Sequence, residues 1–210
     1  MTSLLNIAGN VPTDAFAEGS SLRFEDGDSA YLSWTPASAG NRKTWTWSGW
    51  VKRGNLGSVQ GIFEAKHTKD DQTSLAFETS DKLLFTDRPS NNRNIDLRTT
   101  QVFRDVSAWY HIVVSVDTTQ STSSDRVSLY VNGEEVTTFD TSSYPTQNYD
   151  TAYWNNTQSH RLGYQQGNSA NYLDGYLANV TFIDGQALTP TSFGEYEDTL
   201  WKPKSDTDIQ

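Results

Sequence analysis

Apolar and polar residues alternate along most of this chain with a period of two, which is the pattern of strands that bury one face. In TWTWSGWVKRG one face carries three large apolar side chains, and the opposite face is mixed. The first face holds Trp45, Trp47, Gly49 and Val51, and the second holds Thr46, Ser48, Trp50 and Lys52. We expect only one of these two faces to belong to a core.

Shorter strands are predicted at GIFEAK, SLAFET and KLLFTD, separated by charged turns. The run WYHIVVSVD is apolar on both faces, as expected for a central strand. No segment has a sustained apolar period of 3.6, and only a short helical turn is expected at 190–196. The pattern therefore predicts an all-β domain of antiparallel strands, a sandwich or a barrel.

Turn signals divide these strands. Asn132-Gly133 is the strongest of them, because a type I′ hairpin needs two residues that tolerate positive φ. The Asp26-Gly27 step predicts a second hairpin, which joins SLRF to AYLSW. We expect an extended arm over residues 1–19, the strand-rich domain over 20–200, and a tail over 201–210. The arm is either free or a docking strand built on Leu4, Leu5 and Ile7.

Two long polar stretches, 117–125 and 137–159, have the composition of loops. The second carries aromatic residues, which supply contact area to saccharides and proteins with little loss of rotamer entropy. The predicted ligand- or partner-binding residues there are Tyr144, Tyr149, Tyr153 and Trp154. The alternative is that these rings fold back on a sheet as a lid.

A locally basic stretch, DRPSNNRNIDLRTTQVFRD, stands out from an acidic chain. Arg88 and Arg93 are predicted to dock on an acidic partner or a saccharide, since guanidinium groups form bidentate contacts. The alternative is an ordinary solvated loop and edge strand.

Charge and composition exclude several kinds of partner. The formal net charge of −10 opposes binding to nucleic acid. Cysteine is absent from the sequence, so disulfides and thiolate metal sites are excluded. Without a basic, apolar leader or a run of about 20 apolar residues, we expect neither classical secretion nor a membrane span.

Residues for catalysis are not evident in the sequence. Glu195, Glu197 and Asp198 have the wrong spacing for the paired carboxylates of a glycoside hydrolase. His67, His111 and His160 lie far apart and show no zinc-site spacing. We therefore predict a protein that is not an enzyme and has neither a resident metal nor another cofactor. Binding of calcium by Asp26 and Asp28 stays an open alternative. The other interpretation is that these two residues only shape a turn.

Several blocks occur in an order that resembles the laminin G-like and concanavalin A-like jelly-roll domains, of the kind found in bacteriophage virion structural proteins. They are SLRFEDGDSAYLS, TWTWSGWVKRG, WYHIVVSVD with LYVNGEEV, RLGY, and YLDGYLANVTFIDGQAL. The resemblance covers about Ser20 to Leu188. It implies a two-sheet antiparallel jelly-roll sandwich.

The resemblance also implies a function that is not enzymatic. We expect a virion structural protein of a bacteriophage, a capsid decoration or fibre-type surface component made in the host cytoplasm. Its expected partners are other virion proteins and copies of itself. The alternative is a lectin-like module that recognises host surface polysaccharide by stacking sugar rings on exposed aromatic side chains.

Overall fold

The computed structural model describes residues 3–4, 20–66, 68, 70–166 and 170–204, and these are almost entirely strands and turns. The strands are Ser3–Leu4 (β1), Ser21–Phe24 (β2), Leu32–Trp34 (β3), Thr44–Arg53 (β4), Gln60–Ala65 (β5), Gln72–Phe77 (β6), Lys82–Arg88 (β7), Ile95–Val102 (β8), Tyr110–Asp117 (β9), Val127–Val131 (β10), Glu134–Glu135 (β11), Phe139–Ser143 (β12), His160–Leu162 (β13), Tyr164–Gln166 (β14), Ala170–Tyr172 (β15), Gly175–Asp184 (β16), Gly194–Glu197 (β17) and Leu200–Pro203 (β18).

Two seven-stranded antiparallel sheets face each other. Sheet I has the order β1-β16-β4-β9-β10-β11, with β2 also paired to β16. Sheet II has the order β12-β8-β7-β6-β5-β13-β3. The hairpins β14–β15 and β17–β18 form separate two-stranded sheets. The predicted two-sheet antiparallel jelly-roll sandwich is confirmed.

Large rings fill the space between the sheets. The Trp154 ring lies at the centre, with its centroid 4.5 Å from that of Phe63, 5.2 Å from that of Trp45 and 5.2 Å from that of Phe85. Trp45, Trp154 and the nearby Trp47 are fully buried. A modest number of aromatic side chains thus supplies much of the buried apolar area in a chain with few aliphatic residues.

Both faces of β4 are buried, contrary to the expectation that only one would be. Trp45, Trp47 and Val51 enter the main core, as predicted. On the opposite face Ser48 and Trp50 are 1% and 4% exposed. The reason is a second layer outside sheet I, where the C-terminal segment with the β17–β18 hairpin lies against His111 and its neighbours.

The chain turns at Asn132-Gly133 as predicted. Asn132 has φ 50° and Gly133 has φ 88°, and Val131 pairs with Glu134 across the turn. The predicted hairpin at Asp26-Gly27 is wrong. β2 pairs with β16 in sheet I, whereas β3 pairs with β13 in sheet II. The segment Asp26–Asp28 forms a short 3₁₀ turn where the chain passes from one sheet to the other.

The stretch 137–159 is less irregular than predicted. Its first part forms the edge strand β12, which pairs with β8. The segment FDTSS contains one aromatic residue followed by four polar ones. It therefore lacks the alternation of apolar and polar residues that would predict a strand. Other short 3₁₀ turns in the described ranges are Pro89–Asn91, Ser124–Arg126 and Pro190–Ser192.

The predicted arm and tail lie mostly outside the described residues. From residues 1–19 only Ser3 and Leu4 are described, and they pair with Phe182 and Thr181 of β16. At the other end, β18 runs across the predicted boundary at residue 200 and reaches Pro203. Among the described residues, no helix has the length and apolar character needed to cross a membrane.

Candidate functional site

The aromatic residues predicted to bind a ligand are instead held within the fold. Trp154 is fully buried, and its Nε1 donates a 2.8 Å hydrogen bond to the backbone oxygen of Thr73. Tyr144 is partly buried against the core. Trp154 cannot stack on a sugar ring without leaving the core, so its predicted role as a ligand contact is corrected. The lid alternative describes this segment.

Tyr149 and Tyr153 are tied down through their hydroxyl groups. Tyr149 donates a 2.7 Å hydrogen bond to the buried carboxylate of Asp87, and Tyr153 donates a 2.6 Å hydrogen bond to Asp71. Burial, followed by the nearby carboxylates, raises the pKa of both phenols. Both hydroxyl groups therefore donate within the fold, which favours the lid interpretation for them too.

The predicted basic residues Arg88 and Arg93 flank one side of sheet II. Arg93 donates a 2.7 Å hydrogen bond to Asp96 and remains partly exposed. Arg88 lies 2.9 Å from the Gln72 side-chain oxygen, in the amide orientation that satisfies both groups. Arg98 and Arg104 also have carboxylate partners, Glu78 and Asp81. The basic stretch is thus largely compensated inside the chain.

A row of polar residues crosses the outer face of sheet II, and sequence analysis missed it. The row takes one residue from each of the seven strands, in register. It consists of Ser33, Arg161, Glu64, Ser74, Thr86, Asp96 and Ser143. Neighbouring rows such as Phe63, Leu75, Phe85 and Leu97 face the core. This row of the outer face is therefore polar across the full width of the sheet.

The β14–β15 hairpin lies over this face. Gly61 permits the approach, because a Cβ there would lie 2.1 Å from Gln165 N and from the Tyr164 carbonyl carbon. The Gln166 N–H is shared by both carboxyl oxygens of Glu64, at 2.9 and 3.0 Å. The Gln165 amide donates to Ser74 Oγ, and Asn171 donates to Gln165. These contacts fix the hairpin on β5 and β6.

Glu64 is fully buried beneath the hairpin. Burial raises its pKa to about 8, although the Gln166 N–H and the positive charge of Arg161 act in the opposite direction. At neutral pH the carboxyl group is therefore mostly protonated.

Three tyrosines and an arginine meet where the hairpin reaches the edge of sheet II. We call Tyr31, Arg161, Tyr164 and Tyr172 the tyrosine–arginine cluster. The Arg161 guanidinium carbon lies 5.1 Å from the Tyr31 ring centroid and 4.7 Å from that of Tyr164. The Tyr164 centroid lies 5.2 Å from that of Tyr172 and 5.4 Å from that of Tyr31.

The cluster presents an open aromatic surface with a cation beside it. Tyr31 is 41% exposed, while Tyr164 is buried behind it. Trp34 on β3 is 39% exposed but faces the other side of sheet II, where it stacks on His160 and the core residue Phe63. Exposed rings next to a guanidinium donor can hold a sugar ring by stacking and hydrogen bonding. The sequence did not predict this cluster, since pairing between residues more than 100 positions apart is not visible in one sequence.

One group of carboxylates could accept a cation. Oxygen atoms of Glu25, Asp26 and Asp174 lie within 4.8 Å of one another. Asp174 comes from the opposite end of the sequence, and the nearby carboxylates contribute, after burial, to raising its pKa. Asp26 was a predicted calcium ligand; its predicted companion Asp28 does not belong to this group. Hard oxygen ligands of this kind suit calcium.

The other titratable residues considered in the sequence serve as structural contacts. His111 and His160 are buried, and burial lowers their pKa values to about 3 and about 4. His67 lies outside the described residues. Glu195 and Glu197 are exposed on β17 and form ion pairs with Lys202 across the hairpin.

Comparison with protein families identifies the domain. The family model described as the concanavalin A-like lectin/glucanases superfamily matches residues 26–192, well over half of the chain. The chain belongs to this superfamily. The resemblance to laminin G-like and concanavalin A-like domains is thereby confirmed, and the superfamily is one of lectin-like, carbohydrate-binding folds. No curated protein sequence matches the chain significantly.

Solved structures share this superfamily fold at low identity. A heptameric pentraxin from Limulus polyphemus is 15% identical, with a TM-score of 0.51 over 76% of this chain and 71% of its own. Domain 4 of an arabinanase from Geobacillus stearothermophilus is 22% identical, with a TM-score of 0.52 over 74% of this chain and 66% of its own. Mouse laminin α1 domains LG4-5 are 13% identical, with a TM-score of 0.55 over 87% of this chain and 47% of their own.

Proposed function

We propose that this superfamily domain is a saccharide-binding module without catalytic activity, and that the tyrosine–arginine cluster is its binding surface. The observation that carries the proposal is the 41% exposed ring of Tyr31 beside the guanidinium of Arg161. A pyranose ring placed on Tyr31 would gain apolar contact on its flat face and a charged hydrogen-bond donor at its rim.

The support around the cluster is rigid, which limits the entropy lost on binding. Tyr31 is backed by Tyr164, whose hydroxyl group donates to the side chain of Gln166. Gln166 is in turn held by the buried Glu64. The ring and the cation are thus placed before a ligand arrives.

Two structural neighbours are described as saccharide complexes. The arabinanase domain is in complex with arabinotriose, and the binding domain of botulinum neurotoxin DC is in complex with SialylT. The toxin domain is 12% identical, with a TM-score of 0.55 over 91% of this chain and 43% of its own. These complexes belong to those proteins; they make saccharides the first class of ligand to test here.

A glycan array followed by isothermal titration calorimetry tests the proposal. Tyr31→Ala should weaken binding of an array hit by about tenfold or more, because it removes the stacking surface. Tyr196→Ala is the matched control, since Tyr196 is 51% exposed but lies on the β17–β18 hairpin outside sheet I. Equal loss in both variants, or no loss in Tyr31→Ala, would place the ligand elsewhere.

The prediction that the chain is not an enzyme belongs to the same proposal. The acidic residues considered for hydrolysis, Glu195 and Glu197, form ion pairs with Lys202 on the β17–β18 hairpin, which is separate from sheet II. Incubation of a bound oligosaccharide with the protein, followed by mass spectrometry, should leave its length unchanged. Cleavage that persists in highly purified protein would contradict this part.

A place on a bacteriophage virion surface, as capsid decoration or fibre-type component, stays a prediction from the resemblance. So do its predicted partners, other virion proteins and copies of the chain. A polysaccharide-binding surface would suit the outside of a particle that meets a host envelope. Mass spectrometry of purified particles tests the location, and absence of the chain from them would reject it.

A further inference from the structure

Arg161 of β13 has no carboxylate partner among the described residues, unlike Arg93 and Arg98. Arg93 pairs with Asp96, and Arg98 pairs with Glu78. The Nε of Arg161 is buried and has no hydrogen-bond partner among the described residues, while its guanidinium forms a side-chain hydrogen bond with Tyr164. Its guanidinium lies instead between the rings of Tyr31 and Tyr164. The guanidinium thus lies against the exposed ring of Tyr31 without a carboxylate partner among the described residues.

The nearest acidic neighbour in the register is Glu64, directly opposite Arg161 on β5. Its two oxygens are occupied by the Gln166 N–H and by the side-chain nitrogen of Gln72. Since burial raises the pKa of Glu64 to about 8, the carboxyl group is mostly neutral at pH 7. Glu64 therefore leaves the positive charge of Arg161 uncompensated.

The acidic character of the whole chain does not cancel this local charge. The net charge of −10 is spread over 210 residues. At physiological ionic strength, interactions between exposed charges fade beyond about 8 Å. A ligand in contact with the cluster responds mainly to Arg161, and its guanidinium fork matches the two oxygens of a carboxylate.

We propose that the tyrosine–arginine cluster selects saccharides that carry a carboxylate, with Arg161 pairing with that group while the sugar ring lies on Tyr31. This inference rests on the proposed saccharide-binding function and names its class of ligand. Neutral saccharides would keep the ring contact and a hydrogen bond from the guanidinium to a hydroxyl group, without the charge pair, and would bind more weakly.

The test uses acidic oligosaccharides, each paired with its own methyl ester, so that only the charge of the carboxylate differs. The probes are oligogalacturonate, a hyaluronate oligosaccharide and sialyllactose, titrated by calorimetry into the full chain. At least one free acid should bind about tenfold or more tightly than its ester, as expected for one charge-assisted pair. Arg161→Gln should remove this ratio, so that the free acid and its ester bind this variant with affinities within about twofold of each other.

Arg93→Gln is the control, because Arg93, in the connection between β7 and β8, is also partly exposed but pairs with Asp96. It should keep the ratio of acid to ester affinity. If acids and esters bind equally and Tyr31→Ala still abolishes binding, the proposed function stands and the inference of acidic specificity is overturned. If the ratio survives in Arg161→Gln, Arg161 is not the partner of the carboxylate. If no probe binds and neutral glycans do not bind either, both proposals fail.

Discussion

The indole Nε1 of Trp201 lies 3.0 Å from Nδ1 of His111, and the two rings stack with their centroids 5.9 Å apart. Because an indole N–H can only donate, Nδ1 must be the unprotonated nitrogen. The proton is then on Nε2, which donates to Ser48 Oγ at 2.9 Å. One hydrogen-bond chain thus joins the C-terminal hairpin to the outer face of sheet I and requires a neutral imidazole.

We expect this chain of contacts to fail progressively in acid. Burial lowers the pKa of His111 from 6.5 to about 3. The contribution of neutral His111 to the free energy of unfolding is complete above pH 6.5 and is lost as the pH falls toward 3. The reason is that His111 takes up a proton in the unfolded chain at a higher pH than in the folded one. The free energy of unfolding should fall by about 2 kcal/mol between pH 6.5 and 4.5 from this residue. Urea titrations of wild type and His111→Gln at both pH values measure it.

The difference between the two proteins isolates His111, since other groups titrate in both. Gln retains an acceptor for Trp201 without taking up a proton. If the free energies of unfolding of wild type and variant change with pH in parallel, His111 is not held neutral by burial in the folded protein.

Glu64 should produce the opposite pH dependence. Its pKa is raised by burial from 4.5 to about 8, so its favourable contribution is complete below pH 4.5 and lost as the pH rises toward 8. Glu64→Gln keeps the neutral shape and cannot ionise. Relative to wild type, the variant should gain about 2 to 3 kcal/mol in unfolding free energy between pH 4.5 and pH 7. A constant difference between the two proteins over this range would show that Glu64 ionises normally in the fold.

Sequence patterns predicted the sheets better than the surfaces on them. The alternation of residues in β4 correctly predicted that Trp45 and Trp47 face the core. The tolerance of Asn132 and Gly133 for positive φ correctly predicted the turn between β10 and β11. These are local signals. The cluster at Tyr31 and Arg161 depends on which strands become neighbours, and that pairing joins residues 33 and 161 across most of the chain.

The prediction at Trp154 was wrong for a related reason. Polar neighbours suggested an exposed loop, but the ring lies within the core, where Thr73 supplies a backbone acceptor. Likewise, the second layer over Trp50 comes from the C-terminal hairpin, far away in sequence. A loop composition describes the backbone well and says little about where a single large side chain points.

Trp154 and Tyr31 should therefore respond differently to truncation. Trp154→Ala leaves a cavity among Trp45, Phe63 and Phe85 and should cost about 3 to 5 kcal/mol of stability. Tyr31→Ala removes a 41% exposed ring and should cost about 1 kcal/mol or less. Guanidinium unfolding measures both. A stable Trp154→Ala protein that loses saccharide binding would restore the original prediction of an aromatic ligand loop.

Gly61 should be the residue on which the placement of the hairpin depends most sharply. A methyl group there would lie 2.1 Å from the backbone of Tyr164 and Gln165, and backbone atoms cannot move aside as a flexible side chain can. Gly61→Ala should lower the free energy of unfolding by about 1 to 3 kcal/mol and displace β14, which loosens Tyr164 behind Tyr31 and weakens saccharide binding.

Gly27→Ala is the control, since a Cβ at Gly27 would meet nothing closer than 3.9 Å. The free energy of unfolding of this variant should stay within about 0.5 kcal/mol of wild type. Backbone amide shifts of residues 164–166 in NMR spectra report the displacement directly. Unchanged shifts and binding in Gly61→Ala would show that the hairpin does not hold the cluster in place.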